Sequence, residues 1–382
     1  MKKRQKIPIY VPVSFGSFLI QSASLCDYSS LRKLALKHPL LNLPADPALL
    51  KKKIQTSEDS FKGALEREKR QFLFVIKKRE KSGEEEVIGS SQIFSKFGTR
   101  KNPFYSLKVC YHEAVLQLKV VRDGPSYLGG LIVDEPYRGH TEKIGKQISL
   151  IRFLFAAICG ECFESTLHAE VAPFLDEKGQ NPFYEHFIRP RLSLSMPEID
   201  YLTLTNKEKL FSSYPREKIL FSSLPESVRK GLGKPGLFSQ RAARLLEKQN
   251  FYFTGEVDPF DGGPYMQAQT KDIPLIKNTK KVFFTSEAFI YPKGEDILSR
   301  ADNKSPKQLG VNSLPSVLDF KKKKKGLWAK MEKGQFTGGL WEAHLCQTDI
   351  EKEPSPMNTD FLEQARKWGI KKKDTLFITP FE

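Results

Sequence analysis

The chain has 382 residues, of which 39% are hydrophobic and 11% aromatic, with 28 Phe. It is too long for one ordinary core and too apolar for disorder, so two or more packed domains are expected. Lysine and arginine exceed aspartate and glutamate by 62 − 45 = 17, a surplus that attracts polyanions: nucleic acid, an anionic membrane or a phosphate-rich ligand.

The opening stretch MKKRQKIPIYVPVSFGSFLIQSASLC has the basic start and apolar middle of a signal peptide, but Pro8 and Pro12 interrupt it, and it reads as a first strand. Ser29–Leu41 and Asp46–Ile54 read as helices about the Leu43-Pro44 turn. Gln71–Lys77 and Glu86–Phe94 form a predicted hairpin across KSGEE, and Leu107–Arg122 alternates as a further strand. Tyr127–Val133 is the next strand. It runs through a proline and Arg138-Gly139 into a helix whose Ile144, Ile148, Ile151, Phe155 and Ile158 fall at i, i+4, i+7, i+11 and i+14. Arg152 interrupts this apolar run, and no run reaches the length of a membrane span.

Leu167–Val171 alternates as a strand, Asn181–Phe187 reads as a short aromatic helix, and Leu192–Leu204 as a strand. Gln240–Gln249 is a predicted helix with Leu245 and Leu246 inward, followed by a strand at Phe251–Val257 and the FDGGP turn, Phe260–Pro264. The fold class expected is α+β, a mixed, mostly antiparallel sheet flanked by helices with a small β-rich C-terminal domain. The boundaries expected are 1–276 for the main domain, 277–325 for a lysine-rich connection and 326–382 for the C-terminal β domain.

The five cysteines, Cys26, Cys110, Cys159, Cys162 and Cys346, are odd in number and spread out, which fits a reducing, cytoplasmic setting. Cys159-Gly-Glu-Cys162 lacks a second ligand pair, so no metal site is expected. The lysine runs Lys321–Lys325 and Lys371–Lys373 carry no interleaved aromatics; they read as solvated loops, and nucleic acid is disfavoured as a partner.

A strand, a glycine-containing elbow and a helix place backbone N–H groups and the positive helix end on one spot, an arrangement suited to a pyrophosphate. With that elbow in view, the chain resembles the arginine N-succinyltransferase family of GNAT-type N-acyltransferases. The matching pieces are LPA at Leu43–Ala45, NPFYSLKV at Asn102–Val109, LGGLIVDEPYRG at Leu128–Gly139 and IRF at Ile151–Phe153. They continue in order with AEV…LDEKGQNPFY at Ala169–Tyr184, ARLLEKQNF at Ala243–Phe251 and FDGGP.

The resemblance implies a GNAT-like fold with a splayed central strand, a succinyl-CoA or other acyl-CoA co-substrate that is not tightly bound, and arginine or a related basic amine as acceptor. It implies further a homo-oligomer or a related partner subunit. It places Leu131 at the coenzyme, with Arg138, Gly139 and Gly145 about the elbow and Lys143 where the family has a glycine. Backbone amides near Leu131 and Ile132 would hold the oxyanion. The family histidine of a His-Pro pair is absent; Lys234-Pro235 stands there when the pairs are aligned and Gly236 when no gap is opened, and Ala172 replaces a family arginine.

Three catalytic candidates remain. Glu170 matches the family glutamate, His168 shares its strand face, and Lys234 serves as a base only where burial brings its pKa toward neutrality. Asp261 and Glu170 are candidates to hold a cationic acceptor, against the alternative that Asp261 merely caps its turn. His112 is a lesser site candidate on the 107–122 strand. The function expected is N-acyl transfer to the α-amino group of arginine. The alternative is a catalytically impaired, GNAT-like binding or regulatory protein.

Overall fold

In the computed structural model the described residues are 7–38, 41–79, 85–110, 112–284, 289–290, 322–348, 363, 365–371 and 374–381. The chain opens on β1 (Ile7–Ser22), then α1 (Tyr28–Lys37) and α2 (Pro47–Phe61), whose start is fixed by Asp46 accepting the Leu49 amide at 2.8 Å. Strands β2 (Gln71–Arg79) and β3 (Glu85–Phe94) form the expected hairpin. The single strand expected at Leu107–Arg122 is two, β4 (Phe104–Cys110) and β5 (Val115–Val121), paired with each other about a turn in which Ala114 takes φ 50°.

Strand β6 (Ser126–Val133) leads through the elbow to α3 (Ile144–Ile158), and β7 (Thr166–Glu170) follows. A π-helical turn at Tyr184–Ile188 runs into α4 (Arg189–Leu192). The strand expected at Leu192–Leu204 is instead a helix, α5 (Met196–Thr205). Its start is a capping box in which Ser195 and Glu198 bond each other's backbone, with Pro197 in the first turn; this local chemistry overrides the apolar alternation.

After α5 come α6 (Lys207–Ser212), β8 (Ile219–Leu220), α7 (Glu226–Gly231), α8 (Gln240–Glu247), β9 (Tyr252–Val257), β10 (Pro264–Gln269) and α9 (Pro274–Asn278). The last described strands are β11 (Lys280–Phe284), β12 (Phe289–Ile290), β13 (Lys322–Glu332), β14 (Gln335–Thr348) and β15 (Thr375–Pro380). Residues 285–288 and 291–321 of the expected lysine-rich connection lie outside the described residues, as do Lys321, Lys372 and Lys373. Lys322–Lys325, read from sequence as loop, begin β13.

All strands join one sheet in the order β12-β11-β15-β13-β14-β1-β2-β3-β6-β7-β10-β9-β4-β5-β8. An additional pairing of β12 with β1 closes β1 and β11–β15 into a ring, so the C-terminal β segment shares its first strand with the main sheet. Among the described residues every pairing is antiparallel except β6 with β7, which bears out the mixed, mostly antiparallel expectation.

Helices cover both faces. Leu31, Leu34, Leu50 and Ile54 of α1 and α2 bury against Leu73, Val75, Val87 and Ile132. On the other face α3 packs its predicted stripe against Phe72, Phe74 and Ile76, and against Leu327 and Phe336 from the ring. Gln147, Ser149, Arg152 and Leu154 are buried too, so α3 is enclosed on all sides. Each large apolar side chain buried there contributes roughly 1.5–3 kcal/mol. A second core gathers Leu107 and Leu116 with Phe187, Ile199, Phe211, Tyr214 and Phe260. The site lies between these two cores.

Candidate active site

Strands β6 and β7 pair only from Ser126–Leu128 to Leu167–Ala169. Beyond that they part. The register of β6 against β3 shifts between Ser90 and Gln92, and Gly130 adopts φ 58°, a left-handed bulge that a Cβ would strain. Past Glu170 the chain turns toward other neighbours, with Val171 N donating to Pro264 O and Gly236 N to Ala172 O. The gap between the diverging strands is a cavity of about 520 Å³, bordered by Gly129, Gly130 and Leu131 on one lip and Ala169–Pro173 on the other.

One wall of this cavity is acidic. Glu170, Asp258 and Asp261 place carboxylate oxygens within 4.8 Å of one another, and Asp200 lines the same space. Each of the first three is held by a specific donor. Tyr127 Oη donates to Glu170 at 2.6 Å and Tyr265 Oη to Asp258 at 2.9 Å. Asp258 also accepts the Phe260 and Asp261 amides at 2.7 and 3.0 Å, and Asp261 accepts the Gly263 amide at 2.7 Å.

Crowding like charges in a buried site drives their protonation. Burial and then the charge of Asp258 push Glu170 up to about 8. The same two causes raise Asp200 to about 6 and lift Asp261 far above the carboxylate range. Burial raises Asp258 as well, opposed by its two amide donors and Tyr265. A cation entering this wall would relieve the repulsion and release protons.

Two cations, Arg152 buried and Lys207 half-buried, line the cavity without a carboxylate partner among the described residues. Arg152 donates only to Ser149 and to the Gly129 carbonyl. Lys207 donates to Pro103 O at 3.3 Å and lies 5.7 Å from the Phe97 ring centroid. Burial lowers Arg152 to about 10 and Lys207 to about 8.

A second cavity, about 740 Å³, opens at the N-terminus of α3. Lys143, Lys146, Arg241, Arg244 and Lys248 line it and no acidic residue does. Lys143, the N-cap, takes φ 53° and gives no side-chain cap, which leaves the Ile144 and Gly145 amides in a first turn that has no intrahelical acceptor. The elbow is anchored elsewhere, by Glu142 accepting the Ser17 amide of β1 at 3.0 Å. Helix α8 lines both cavities, with Arg241 and Leu245 facing the basic one and Ala242 and Leu246 the acidic one.

The structure sorts the residues singled out from sequence. Glu170 and Asp261 meet in the acidic wall, Leu131 borders the same cavity, and Lys143 lines the basic one beside Gly145. Asp261 caps its turn and faces the cavity at once. Ile132 is buried against α1 and α2 instead. Arg138 folds back, its Nε donating to Val133 O at 3.0 Å and its Nη2 lying 3.4 Å from His38 Nδ1, so it braces the elbow next to Gly139, which has φ 79°.

His168 shares a strand face with Glu170, yet it is not in the cavity wall. Its β10 neighbour is Gln267, whose Oε1 lies 2.9 Å from His168 Nε2, whereas Glu170 stands opposite Tyr265. Lys234 is exposed and outside the cavity lining, so the burial a lysine base requires is missing. His112 is exposed in the β4–β5 turn. Sequence reasoning missed Asp258, three residues before Asp261, and Asp200, on the helix read as a strand. It also missed the α8 face of Arg241, Arg244 and Lys248, legible as i, i+3, i+7 spacing.

Residues 18–275 match the family model for the arginine N-succinyltransferase beta subunit. The chain belongs to the arginine N-succinyltransferase family. It is 28% identical over 255 residues to the arginine N-succinyltransferase of Yersinia pestis (strain Pestoides F), covering 63% of this chain and 71% of the relative. It is 29% identical over 256 residues to arginine N-succinyltransferase subunit beta of Pseudomonas aeruginosa, covering 64% and 73%. Among solved structures it is similar to arginine/ornithine succinyltransferase subunit AI from Pseudomonas aeruginosa. That match has a TM-score of 0.67 at 20% identity over 96% of this chain and 99% of that one, and it bears out the fold.

Proposed function

We propose that the protein is an N-acyltransferase that moves a succinyl or related acyl group from its coenzyme A thioester to the α-amino group of arginine or a related basic amine. The observation that carries this is the opening between β6 and β7, bordered by a bulged strand on one side and half-buried carboxylates on the other. Family membership over 18–275 supports the same reaction.

The co-substrate's phosphates fit the basic cavity, where five cations and the uncapped start of α3 act together. The thioester then lies along Gly129–Leu131, whose bulge frees backbone groups to face the carbonyl oxygen. The cationic acceptor is held by Glu170, Asp258, Asp261 and Asp200.

Transfer requires that the acceptor ammonium lose a proton to a base, that its nitrogen bond the acyl carbon, and that the C–S bond break to release the thiolate, which takes up the second proton shed by nitrogen as the amide forms. Glu170, with a pKa near 8 and a Tyr127 hydrogen bond fixing its orientation, is the proton acceptor in this proposal. It fills the place left by the absent histidine more directly than Lys234 or His168. The alternative of a binding or regulatory module rests on that missing histidine alone.

The proposal includes a cytoplasmic setting, consistent with the free thiols of Cys26, Cys110, Cys159 and Cys162; no helix among the described residues is long and apolar enough to cross a membrane. It includes association with a like or related subunit, for which the 74% and 92% exposed Leu237 and Phe238 beside α8 offer an apolar contact. Light scattering on the purified chain tests that part. The reaction is tested by mixing the protein with succinyl-CoA and arginine. Free thiol and an acylated arginine are expected; coenzyme and arginine binding without product would support the alternative.

A further inference from the structure

Helix α3 ends in a pair of cysteines that acyl transfer does not use. Cys159 is its C-cap, and the turn that follows closes with the Cys162 amide donating to Cys159 O at 2.9 Å. A bond from i to i+3 holds the two Cα atoms within about 7 Å, close to the span of a disulfide. Both thiols are free, and they share a hydrogen bond. Arg70, pinned by its Nε donating to Leu65 O at 2.8 Å, aims Nη1 at Cys162 Sγ, 3.4 Å away. Glu161 opposes it, its carboxylate accepting from the same Sγ at 3.9 Å. The bond to Cys159 and then Arg70 lower the Cys162 pKa, against burial and Glu161; the same bond and then burial raise that of Cys159. A thiolate held by a cation beside a protonated thiol is the arrangement of an attacking and a resolving cysteine. Access is narrow: Cys162 is 5% exposed and Cys159 half-buried, with Gly160 and Glu161 exposed between them, so the turn admits a small oxidant and excludes a bulky one.

We infer that Cys159 and Cys162 form a modification site for hydrogen peroxide, which converts them reversibly into a disulfide. The Cys162 thiolate attacks one peroxide oxygen and the O–O bond breaks. Hydroxide leaves and takes up a proton as water, and Cys162 becomes a sulfenic acid. Cys159 then attacks that sulfur as its thiol proton departs, and the S–O bond breaks to release a second water. The two sulfurs together lose two electrons, and one peroxide is reduced to two waters. Capture by Cys159 keeps Cys162 from the irreversible sulfinic and sulfonic states. Arg70 is a positioning residue, which acts by holding the thiolate. This chemistry is independent of acyl transfer.

The test exposes the reduced full chain to hydrogen peroxide at neutral pH, blocks the remaining thiols with iodoacetamide and maps the five cysteines by mass spectrometry. The peptide bearing Cys159 and Cys162 should lose two hydrogens, regain them with dithiothreitol, and react about 10-fold faster than the exposed Cys26. Cys159→Ser should gain oxygen at Cys162 instead, and Cys162→Ser should leave Cys159 unmodified at the same dose. Arg70→Gln should slow the oxidation about 10-fold and move its rise with pH to more alkaline values, a shift that loose packing alone would not produce. A wild-type pair that stays reduced while Cys26 oxidises would overturn the inference without any variant, which covers a substitution that does not fold. Oxygen addition to the wild-type pair with no bond between the sulfurs would overturn it as well.

Discussion

The two cavities share α8 and differ in sign. The one at the start of α3 is lined by five cations and no acid, while the one between β6 and β7 gathers four carboxylates. The chain's surplus of 17 positive charges describes the first and is silent about the second. Net charge reports the partner met by the outer surface; the acceptor site proposed above is a half-buried wall of opposite sign, where reduced polarity magnifies each charge. Coenzyme phosphates and a basic amine can therefore be drawn to one molecule without competing for the same side chains.

The sharpest way to break this contrast is to neutralise the acidic wall at its reactive member. Glu170→Gln keeps the shape and the Tyr127 contact but removes the proposed proton acceptor, and a fall in kcat of roughly 10²–10⁴-fold is expected in a thiol-release assay. Little loss would place the proton transfer elsewhere. Next in size, Arg241→Glu with Arg244→Glu should weaken coenzyme A binding about 10–100-fold by calorimetry, raising KM for the thioester with kcat nearly kept. The wild-type affinity should fall with added salt and the variant's much less.

The bulge that separates the cavities' strands is tested by Gly130→Ala. A Cβ there would sit 3.2 Å from the Gln92 side chain at φ 58°, so a cost of about 1–2 kcal/mol in stability is expected by denaturant unfolding, with a raised KM. The pH dependence of stability follows from Glu170. Its folded pKa, near 8, lies above the usual glutamate value of 4.5, so the native state holds the proton more tightly. Stability is fullest below that usual value and declines as pH rises through about 8. Thermal unfolding at pH 5 and 9 should show this drop, and both arginine and Glu170→Gln should lessen it. The smallest effect expected is from Lys234→Ala, within about twofold of wild-type kcat, since Lys234 is exposed and outside the cavity lining.

What the sequence makes legible is what local pattern encodes. The period of α3, the strands β2, β3 and β6 and the alternation of β7 appear where expected, and the sequence marks both Glu170 and Asp261. Contacts between distant segments are less accessible. The ring needs β12 and β14 to find β1 across more than 270 residues, which no local period announces. Asp200 was hidden by taking the Ser195–Glu198 capping box for part of a strand. His168 was misplaced because strand alternation gives the face but not the opposing residue; Gln267 and Tyr265 decide which of two side chains reaches the cavity. Arg152 looked like an interruption of an apolar run; that it is buried with only neutral hydrogen-bond partners among the described residues emerges in three dimensions alone.

The central claim is that a half-buried carboxyl in an acidic cavity takes the acceptor's proton while the thioester lies on the neighbouring bulge. Thiol release from succinyl-CoA in the presence of arginine, followed from pH 5.5 to 9.5 for the wild type and Glu170→Gln, tests it most directly. The account predicts a kcat/KM that climbs toward a plateau with a limb near 8, and loss of that limb in the variant. Release that is absent at every pH, or a profile identical in both proteins, would contradict it.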